Sequence, residues 1–168
     1  MDIHYARASR QDFPEVWAMM EAIKKDQRTS GISLWDENYP SKEILMGDIE
    51  RGEMYLGRVE GRLVCLYVLN DRCDPEYQEG QWPDPEAPYC VFHRFCVEPA
   101  CQGQGIAHMA LGHLEDQCRL LGAAYIHMDC CMANPVAYHL YTTSGYRQVG
   151  QVLLPWDKGM FSLLEKKL

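Results

Sequence analysis

The chain has 168 residues, enough for one domain with a sizeable hydrophobic core, and its composition is that of an ordinary globular protein. No apolar run reaches the roughly 18 residues that a membrane-spanning helix needs, and the first residues lack the features of a secretory signal. The net charge of −8 argues against a nucleic acid or an anionic membrane as a partner. We therefore expect a single cytoplasmic domain over residues 1–168, with a charge that permits cationic substrates.

Three strands and two helices are predicted in the first 70 residues. A weak alternation indicates the first strand, amphipathic stretches indicate the helices, and the Glu60-Gly61 turn signal separates the last two strands. The predicted bounds are 2–7, 53–58 and 62–70 for the strands, and 13–25 and 41–51 for the helices. The last two strands should form a hairpin.

The remaining residues begin with a long acidic loop, 71–88, and continue with alternating strands and helices. Apolar, β-rich runs indicate the strands, while glycine and proline residues mark the helix ends. The predicted bounds are 89–97, 124–129, 147–153 and 161–166 for the strands, and 105–121 and 134–143 for the helices. The order β-α-α-β-β-β-α-β-α-β-β predicts an α/β (α+β) fold with a mixed sheet.

Eight cysteines are spread along the chain, with neither a Cys-x-x-Cys pair nor a Cys-His zinc pattern among them. Most lie in apolar stretches, where a free cysteine packs like a small hydrophobic residue. A chain of this length does not depend on disulfides. We expect reduced, structural cysteines and no metal site.

The strongest local feature is a glycine turn between the 89–97 strand and the next helix. It reads Gln102-Gly103-Gln104-Gly105-Ile106-Ala107. The N–H groups at a helix start attract anions, and glycines let the backbone approach a phosphate closely. The turn therefore indicates a phosphate site.

The two glycines have other interpretations. One is a plain surface turn that binds no ligand. A dinucleotide-binding Rossmann turn would use Asp129, 24 residues beyond Gly105, as the ribose-binding acid, but His108 stands where the third glycine belongs. A Walker A loop is excluded, because no Gly-Lys-Ser/Thr follows.

Two segments resemble the GCN5-related N-acetyltransferase (GNAT) family. Gln102-x-x-Gly105-x-Ala107 is similar to its Gln/Arg-x-x-Gly-x-Gly/Ala signature, although glycine is common where Ala107 stands. The later segment Asn134-x-x-Ala137-x-x-Leu140-Tyr141-x-x-x-Gly145-Tyr146 is similar to its second helix motif. The resemblance implies a GNAT-like, mostly antiparallel central sheet flanked by helices, acetyl-CoA as cofactor, and a possible homodimer.

The resemblance also implies which residues contact coenzyme A. The 95–97 strand segment would pair with the pantetheine arm, the glycine turn would hold the pyrophosphate, and two residues of the second motif would lie at the cofactor. These residues are Phe95, Cys96, Val97, Gln102, Gly103, Gln104, Gly105, Ile106, Ala107, Asn134 and Tyr141. The alternative for Asn134 is a helix N-cap, which suits asparagine well.

Acetyl transfer needs a neutral amine, and freeing a lysine-like amine of its proton at pH 7 costs roughly 4–5 kcal/mol. The resemblance implies that Tyr141 donates a proton to the leaving thiolate; the alternative is a packing tyrosine. His93 is the candidate base, because arylalkylamine N-acetyltransferases look similar in carrying a histidine at this strand position. Glu98 is a rival. A ping-pong nucleophile at Cys130 or Cys131 is a further alternative to direct transfer.

The acceptor has to be inferred from the acidic loop 71–88. Its carboxylates, with Tyr77 and Trp82 among them, would attract an amine and cover it with aromatic faces; the alternative is a solvated loop with incidental aromatics. We expect an N-acetyltransferase acting on a small-molecule amine. Acetylation of a protein N-terminus or lysine, and a non-catalytic acyl-CoA-binding module, are the alternatives.

Overall fold

The computed structural model describes residues 1–31, 34–154 and 158–168. Its strands are β1 His4–Arg7, β2 Met54–Val59, β3 Arg62–Asn70, β4 Tyr89–Val97, β5 Tyr125–Cys131, β6 Arg147–Leu153 and β7 Met160–Lys167. Its helices are α1 Phe13–Ser30, α2 Lys42–Glu50, α3 Ile106–Leu120 and α4 Pro135–Thr143. The predicted order of strands and helices is confirmed.

The strands form one seven-stranded sheet in the order β1-β2-β3-β4-β5-β7-β6. The pairs β1–β2, β2–β3, β5–β7 and β6–β7 are antiparallel, whereas β4 and β5 are parallel. The parallel register extends from Tyr89 opposite Tyr125 to Val91 opposite His127. The prediction of a mixed, mostly antiparallel sheet is therefore confirmed.

The chain comprises two compact units. The first contains Met1–Leu69 and His93–Ala110, and the second contains Asn70–Phe92 and Leu111–Leu168. Strand β4 passes from the second unit into the first at residues 92 and 93.

The core of the first unit lies between α1, α2 and the β2–β3 hairpin. Val16, Met20 and Ile23 recur at helical spacing on α1 and are at most 5% exposed. They belong to one cluster with Leu45 of α2 and Leu66 of β3. The apolar stripe that predicted α1 is thus the face that the helix buries.

Some element bounds differ from the predictions. Helix α1 continues to Ser30 instead of ending near residue 25, and Gly31 ends it with φ +78°. The polar residues of that last segment hid its helical character. The loop 71–88 contains a short 3-10 helix, Pro75–Glu79, that the turn signals did not predict.

The cysteines are free, and seven of the eight are buried. Among residues 1–31, 34–154 and 158–168, no group of three or more metal-ligating side chains could hold an ion. Within the same described ranges, no helix has the length and apolar character needed to cross a membrane.

Candidate active site

The glycine turn lies at the end of β4 in the first unit. The Glu98 N–H donates to the Val64 carbonyl at 2.9 Å, and a short 3-10 helix, Pro99–Cys101, follows. Gly103 and Gly105 then adopt φ values of +73° and +80°. A side chain at either position would meet open space but would strain this left-handed backbone, which explains the glycines.

Helix α3 presents its N-terminal N–H groups at this turn. The Met109 N–H donates to the Gly105 carbonyl at 3.2 Å. The N–H groups of the preceding first turn, residues 106–108, have no carbonyl within the helix to bond. Residues 102–105 are exposed, and the Gln102 and Gln104 side chains fold back onto the carbonyls of Val97 and Ala100 at 3.5 and 3.4 Å. This arrangement fits a phosphate group.

The side chains around the turn anchor it to the core. Ile106 is 2% exposed and clusters with Val64, Cys65, Cys101 and Ala110. The side chains of Phe95 and Val97 pack against the same cluster. Both side chains are therefore held by the core, and the pairing of their main chain with a cofactor stays a prediction.

Cys96, Ala107 and Glu98 are the remaining predicted site residues of the strand and the turn. Cys96 is buried in the cluster beneath α1 and α2, and Ala107 is half-buried at the start of α3. Glu98 is bound to Arg62, whose guanidinium donates at 3.2 Å. That ion pair occupies one oxygen of the rival candidate base.

Arg94 interrupts the regular backbone of β4. Its φ of +50° is rare for a residue with a side chain. The Arg94 guanidinium donates to the Tyr39 hydroxyl at 2.9 Å and to Asp48 at 2.9 Å, and Asp48 is only 1% exposed. These contacts connect α2 and the segment before it to the strand at its irregular position.

The interruption affects the interpretation of His93. The prediction that His93 shares a face with Phe95 and Val97 assumes unbroken alternation, and the positive φ at Arg94 lies between them. His93 is half-buried. Its place beside the strand irregularity stays compatible with a role in proton transfer, and that role stays a prediction.

Tyr141 and Asn134 belong to the second unit. Tyr141 is 6% exposed on α4, with its ring 5.6 Å from that of Phe92 and 5.9 Å from that of Tyr146. The Asn134 Oδ1 accepts a hydrogen bond from the Ala137 N–H at 3.1 Å, so the capping interpretation of Asn134 is confirmed.

The loop 71–88 packs on β5 within the second unit. Tyr77 is 3% exposed, and its hydroxyl donates to Asp129 Oδ2 at 2.6 Å. The Trp82 ring stacks on His127 with a centroid distance of 3.9 Å, and its Nε1 donates to the Tyr77 carbonyl. Tyr77 and Trp82 therefore pack on β5 instead of lying in a solvated loop, and their role toward an acceptor stays a prediction.

Two ionisable groups on β5 have displaced pKa values. Burial raises the pKa of Asp129 to about 6, although the hydrogen bond from Tyr77 by itself lowers that pKa. Burial lowers the pKa of His127 to about 4. The phenol of Tyr77 stays protonated near neutral pH, because burial and then the Asp129 charge raise its own pKa.

The two cysteines at the end of β5 are poor nucleophiles. Burial raises the pKa of the Cys130 thiol to about 12. The Cys131 Sγ contacts the Lys158 carbonyl at 3.6 Å, and the residue is 4% exposed. A ping-pong route needs an accessible thiol, whereas both residues are only 4% exposed.

Sequence patterns assign Tyr77 and Asp129 no joint role. Asp129 enters only as a ribose-binding acid in the Rossmann alternative, and Tyr77 only as one aromatic of an acidic loop. The signal for Asp129 is an acidic residue inside an otherwise apolar strand, where charges are rarely placed without function. The partner 52 residues away along the chain leaves no local pattern.

The sequence model of the Acetyltransferase (GNAT) family matches residues 20–146. The matched range contains both the glycine turn and the Asn134–Tyr146 segment. A sequence search among curated proteins found no significant match.

Solved structures share the fold. A GNAT-family acetyltransferase from Streptococcus agalactiae 2603 is 22% identical with a TM-score of 0.87, covering 99% of this chain and 95% of its own. The PaiA N-acetyltransferase from Thermoplasma acidophilum, solved with coenzyme A, is 17% identical with a TM-score of 0.72 over 100% of both chains. The ribosomal-protein-S18-alanine N-acetyltransferase from Escherichia coli is 14% identical with a TM-score of 0.69, covering 99% and 94%.

Proposed function

Since this chain belongs to the GNAT family of acetyl-CoA-dependent acetyltransferases, we propose that it acetylates the primary amine of a small molecule by direct transfer. The observation that carries the proposal is the glycine turn at the start of α3, where two left-handed glycines precede the first N–H groups of a helix. This geometry suits a diphosphate and needs no side-chain cation.

The cofactor-holding residues act mainly through their backbone. The N–H groups of residues 103–107 would bind the pyrophosphate of coenzyme A, with Gln102 at the edge of the turn. The main chain of Phe95, Cys96 and Val97 would pair with the pantetheine arm, because their side chains are occupied in the core. Asn134 would add a contact through its amide nitrogen while its Oδ1 caps α4.

Tyr141 is the proposed acid of the reaction. Acetyl-CoA supplies an activated thioester, and the thiolate that leaves it has to gain a proton. The phenol of Tyr141 can donate one, and the packing of its ring between Phe92 and Tyr146 fixes the direction of the hydroxyl group. General-acid assistance of this kind contributes roughly 10²–10⁴-fold to the rate.

His93 is the proposed base. An imidazole titrates near neutral pH, and His93 is half-buried beside the irregular position of β4. Its rival Glu98 is bound to Arg62, and this ion pair holds one of its carboxylate oxygens. Direct transfer is favoured over a ping-pong route by the buried state of both Cys130 and Cys131.

The small-molecule acceptor is supported by the loop 71–88. Tyr77 and Trp82 fasten this loop to β5, and the Gln81 N–H donates to the Val149 carbonyl at 2.7 Å. Because this acidic loop is held against β5, it suits a compact cationic acceptor. A peptide acceptor would need an open groove instead. Acetylation of a protein N-terminus or lysine is the alternative, and the Escherichia coli neighbour is by its name an N-acetyltransferase of an alanine of ribosomal protein S18.

The proposal is tested by thiol release from acetyl-CoA with ethanolamine, phenethylamine, spermidine, free amino acids and a peptide. We expect turnover with at least one small amine and less with the peptide. Tyr141→Phe should lower kcat by about 100-fold or more while the affinity for coenzyme A persists. Tyr138→Phe is the matched control on the same helix, because its exposed hydroxyl donates to Gln148 Oε1 at 3.1 Å and has no proposed role in the reaction.

Two results would contradict the proposal. Faster acetylation of the peptide than of every small amine would favour the protein-acceptor alternative. An unchanged kcat in Tyr141→Phe would remove the tyrosine from the mechanism and leave it a packing residue.

A further inference from the structure

One residue of β4 has a backbone conformation that strands rarely contain. Arg94 has a φ of +50°, whereas a regular strand needs a strongly negative φ. A left-handed backbone is costly for a residue with a side chain, and glycine would adopt it without that cost. What arginine adds over glycine at this bend is its side chain, so the contacts of the guanidinium are informative.

The Arg94 guanidinium is held by two residues of the first unit. Its Nη1 donates to the Tyr39 hydroxyl at 2.9 Å and its Nη2 to Asp48 Oδ1 at 2.9 Å, while its Nε lies 2.8 Å from Asp48 Oδ2. The side chains of Arg94 and Asp48 are only 10% and 1% exposed. A two-pronged ion pair of this kind fixes the direction of both side chains. We call Tyr39, Asp48 and Arg94 the Arg94 clasp.

The partners of Arg94 are themselves held in place. Asp48 belongs to α2, which packs into the core of the first unit. Arg51 donates to the same carboxylate oxygen of Asp48 at 2.7 Å. The segment before α2 is anchored as well, because the buried Lys24 ammonium donates to the Pro40 carbonyl at 3.0 Å. The bend of β4 is thus attached to a fixed base.

Stability alone does not explain the clasp. Removing two charges from water costs free energy that their attraction only partly returns, and apolar residues of similar volume often stabilise a core better. A rare backbone conformation adds a further cost, and it persists only where the surrounding contacts enforce it. Bends of this kind in strands occur preferentially next to active sites, where they change the direction of the chain.

The bend lies at the acyl end of the proposed cofactor path. In the proposed function, residues 103–107 bind the pyrophosphate and the main chain of residues 95–97 pairs with the pantetheine arm. Farther along β4, away from the turn, the next residues are Arg94 and then His93, each advancing the strand by about 3.3 Å. The thioester at the end of the arm therefore belongs beside the bend and the proposed base.

We propose that Arg94 and Asp48 are positioning residues, and that the Arg94 clasp holds the bend of β4 so that its main chain aligns the thioester of acetyl-CoA. The inference rests on the proposed function and adds residues whose side chains need not touch cofactor or acceptor. Without the clasp, the bend loses its fixed shape. Coenzyme A still binds at the glycine turn, but the acetyl group is no longer held in its reactive orientation.

Arg94→Gly is the main test, because glycine accepts the same φ while the guanidinium is lost. The variant should fold, since Asp48 keeps Arg51 as its ion-pair partner. With the panel amine that wild type acetylates best, kcat should fall about tenfold or more, because misplaced reacting atoms slow the chemical step. The affinity for coenzyme A should stay within about twofold. A wild-type kcat in Arg94→Gly would overturn the inference and leave the proposed function intact.

Asp48→Asn disrupts the same clasp from α2. Its kcat should fall as in Arg94→Gly, and the double variant should lose no more than about threefold beyond Arg94→Gly, because both changes act through one contact. Independent effects would multiply to about a hundredfold or more and would contradict the clasp. Circular dichroism at the assay temperature verifies folding, and if Asp48→Asn does not fold, Arg94→Gly alone decides.

Glu165→Gln is the matched control for loss of a buried ion pair. Glu165 is 1% exposed and bound to Arg147 at 3.0 Å in the second unit. Its replacement should lower the stability and leave kcat unchanged, because the bend of β4 keeps its contacts. A loss of kcat equal to that in Asp48→Asn would attribute both effects to general destabilisation and overturn the inference.

Hydrogen exchange followed by mass spectrometry gives a readout without turnover. In wild type, acetyl-CoA should slow exchange in peptides covering residues 93–97 and 103–109. In Arg94→Gly, this protection should persist at 103–109 and disappear at 93–97. Equal protection of 93–97 in both proteins, or loss of protection at both segments in the variant, would overturn the inference.

The same experiment separates the inference from the proposed function. If wild type shows the protection but acetylates no panel amine, and Arg94→Gly loses protection at 93–97 only, the proposed function fails and the inference holds. If acetyl-CoA protects neither segment of wild type, both fail.

Discussion

Replacing Asp129 with asparagine should make the folded protein more stable, although it removes a buried hydrogen-bonded group. The carboxylate is surrounded by protein, its only described charged neighbour is an acid, and its pKa rises from an ordinary 3.8 to about 6. A raised carboxyl pKa means that folding disfavours the ionised form. Asparagine has nearly the same shape, carries no charge and can still accept the hydrogen bond from Tyr77.

The size of the effect follows from the pKa displacement. A displacement of roughly two units corresponds to about 3 kcal/mol of lost folding free energy when the carboxylate is charged in both states. This penalty is fully present above pH 6, shrinks as the pH falls from about 6 towards 4, and is absent when both states are protonated. Allowing for partial solvation, we expect Asp129→Asn to gain about 1–3 kcal/mol at pH 7.5.

The assay is thermal unfolding followed by circular dichroism at pH 7.5 and pH 4.5, without coenzyme A, which would itself stabilise the folded state. For a chain of this size, the expected gain raises the midpoint by about 3–8 °C at pH 7.5. Most of that gain should disappear at pH 4.5. Asp84→Asn controls for the change in net charge and should shift the free energy of unfolding by no more than about 0.5 kcal/mol.

A lower midpoint for Asp129→Asn than for wild type at pH 7.5 would refute the reasoning, because it would mean that the carboxylate is well compensated in the fold. A gain that is equal at both pH values would also contradict it. The neighbouring titratable groups do not obscure the test, since the pKa of Cys130 is raised to about 12 and that of Tyr77 is raised by burial. His127, on the same face, has a pKa lowered to about 4 and stays neutral at pH 7.5.

Two further predictions concern the cofactor turn and the base. Gly105→Ala should lower the affinity for coenzyme A at least tenfold and cost about 1–2 kcal/mol of stability. Gly122→Ala is the matched control, because Gly122 has a φ of +81° and open space around it. It should cost similar stability and leave the affinity for coenzyme A unchanged. Equal affinities in calorimetry would remove the turn from the cofactor site. His93→Ala should abolish the rise of kcat with pH near neutrality, and an unchanged kcat profile would exclude His93 as the base.

The element order and several bounds could be predicted because local patterns determine them. Strands β3, β4 and β6 begin and end at the predicted residues, where glycines, prolines or charges bracket apolar or alternating runs. The glycine turn could also be predicted from the sequence, because both positions with a left-handed backbone are occupied by glycine. Helix α1 was predicted too short because its last turn is polar on every side.

Features that depend on distant residues could not be predicted. Nothing in the local sequence indicates a positive φ at Arg94, which is accompanied by contacts to Asp48 and Tyr39, 46 and 55 residues away. The same limit applies to the hydrogen bond between Tyr77 and Asp129. The composition of the loop indicates attraction for an amine, but only the fold shows that Tyr77 is buried against β5.

The absence of a described cation beside Asp129 makes the stability prediction specific to this residue. Asp48, Glu115 and Glu165 are also buried, but each forms an ion pair of 3.0 Å or less with an arginine or lysine. Replacing one of them with its amide would leave a cation without its partner, which is destabilising. Asp129 has the phenol of Tyr77 instead, and a phenol can donate to an amide oxygen as well. The same substitution should therefore stabilise the protein at Asp129 and destabilise it at the three paired acids.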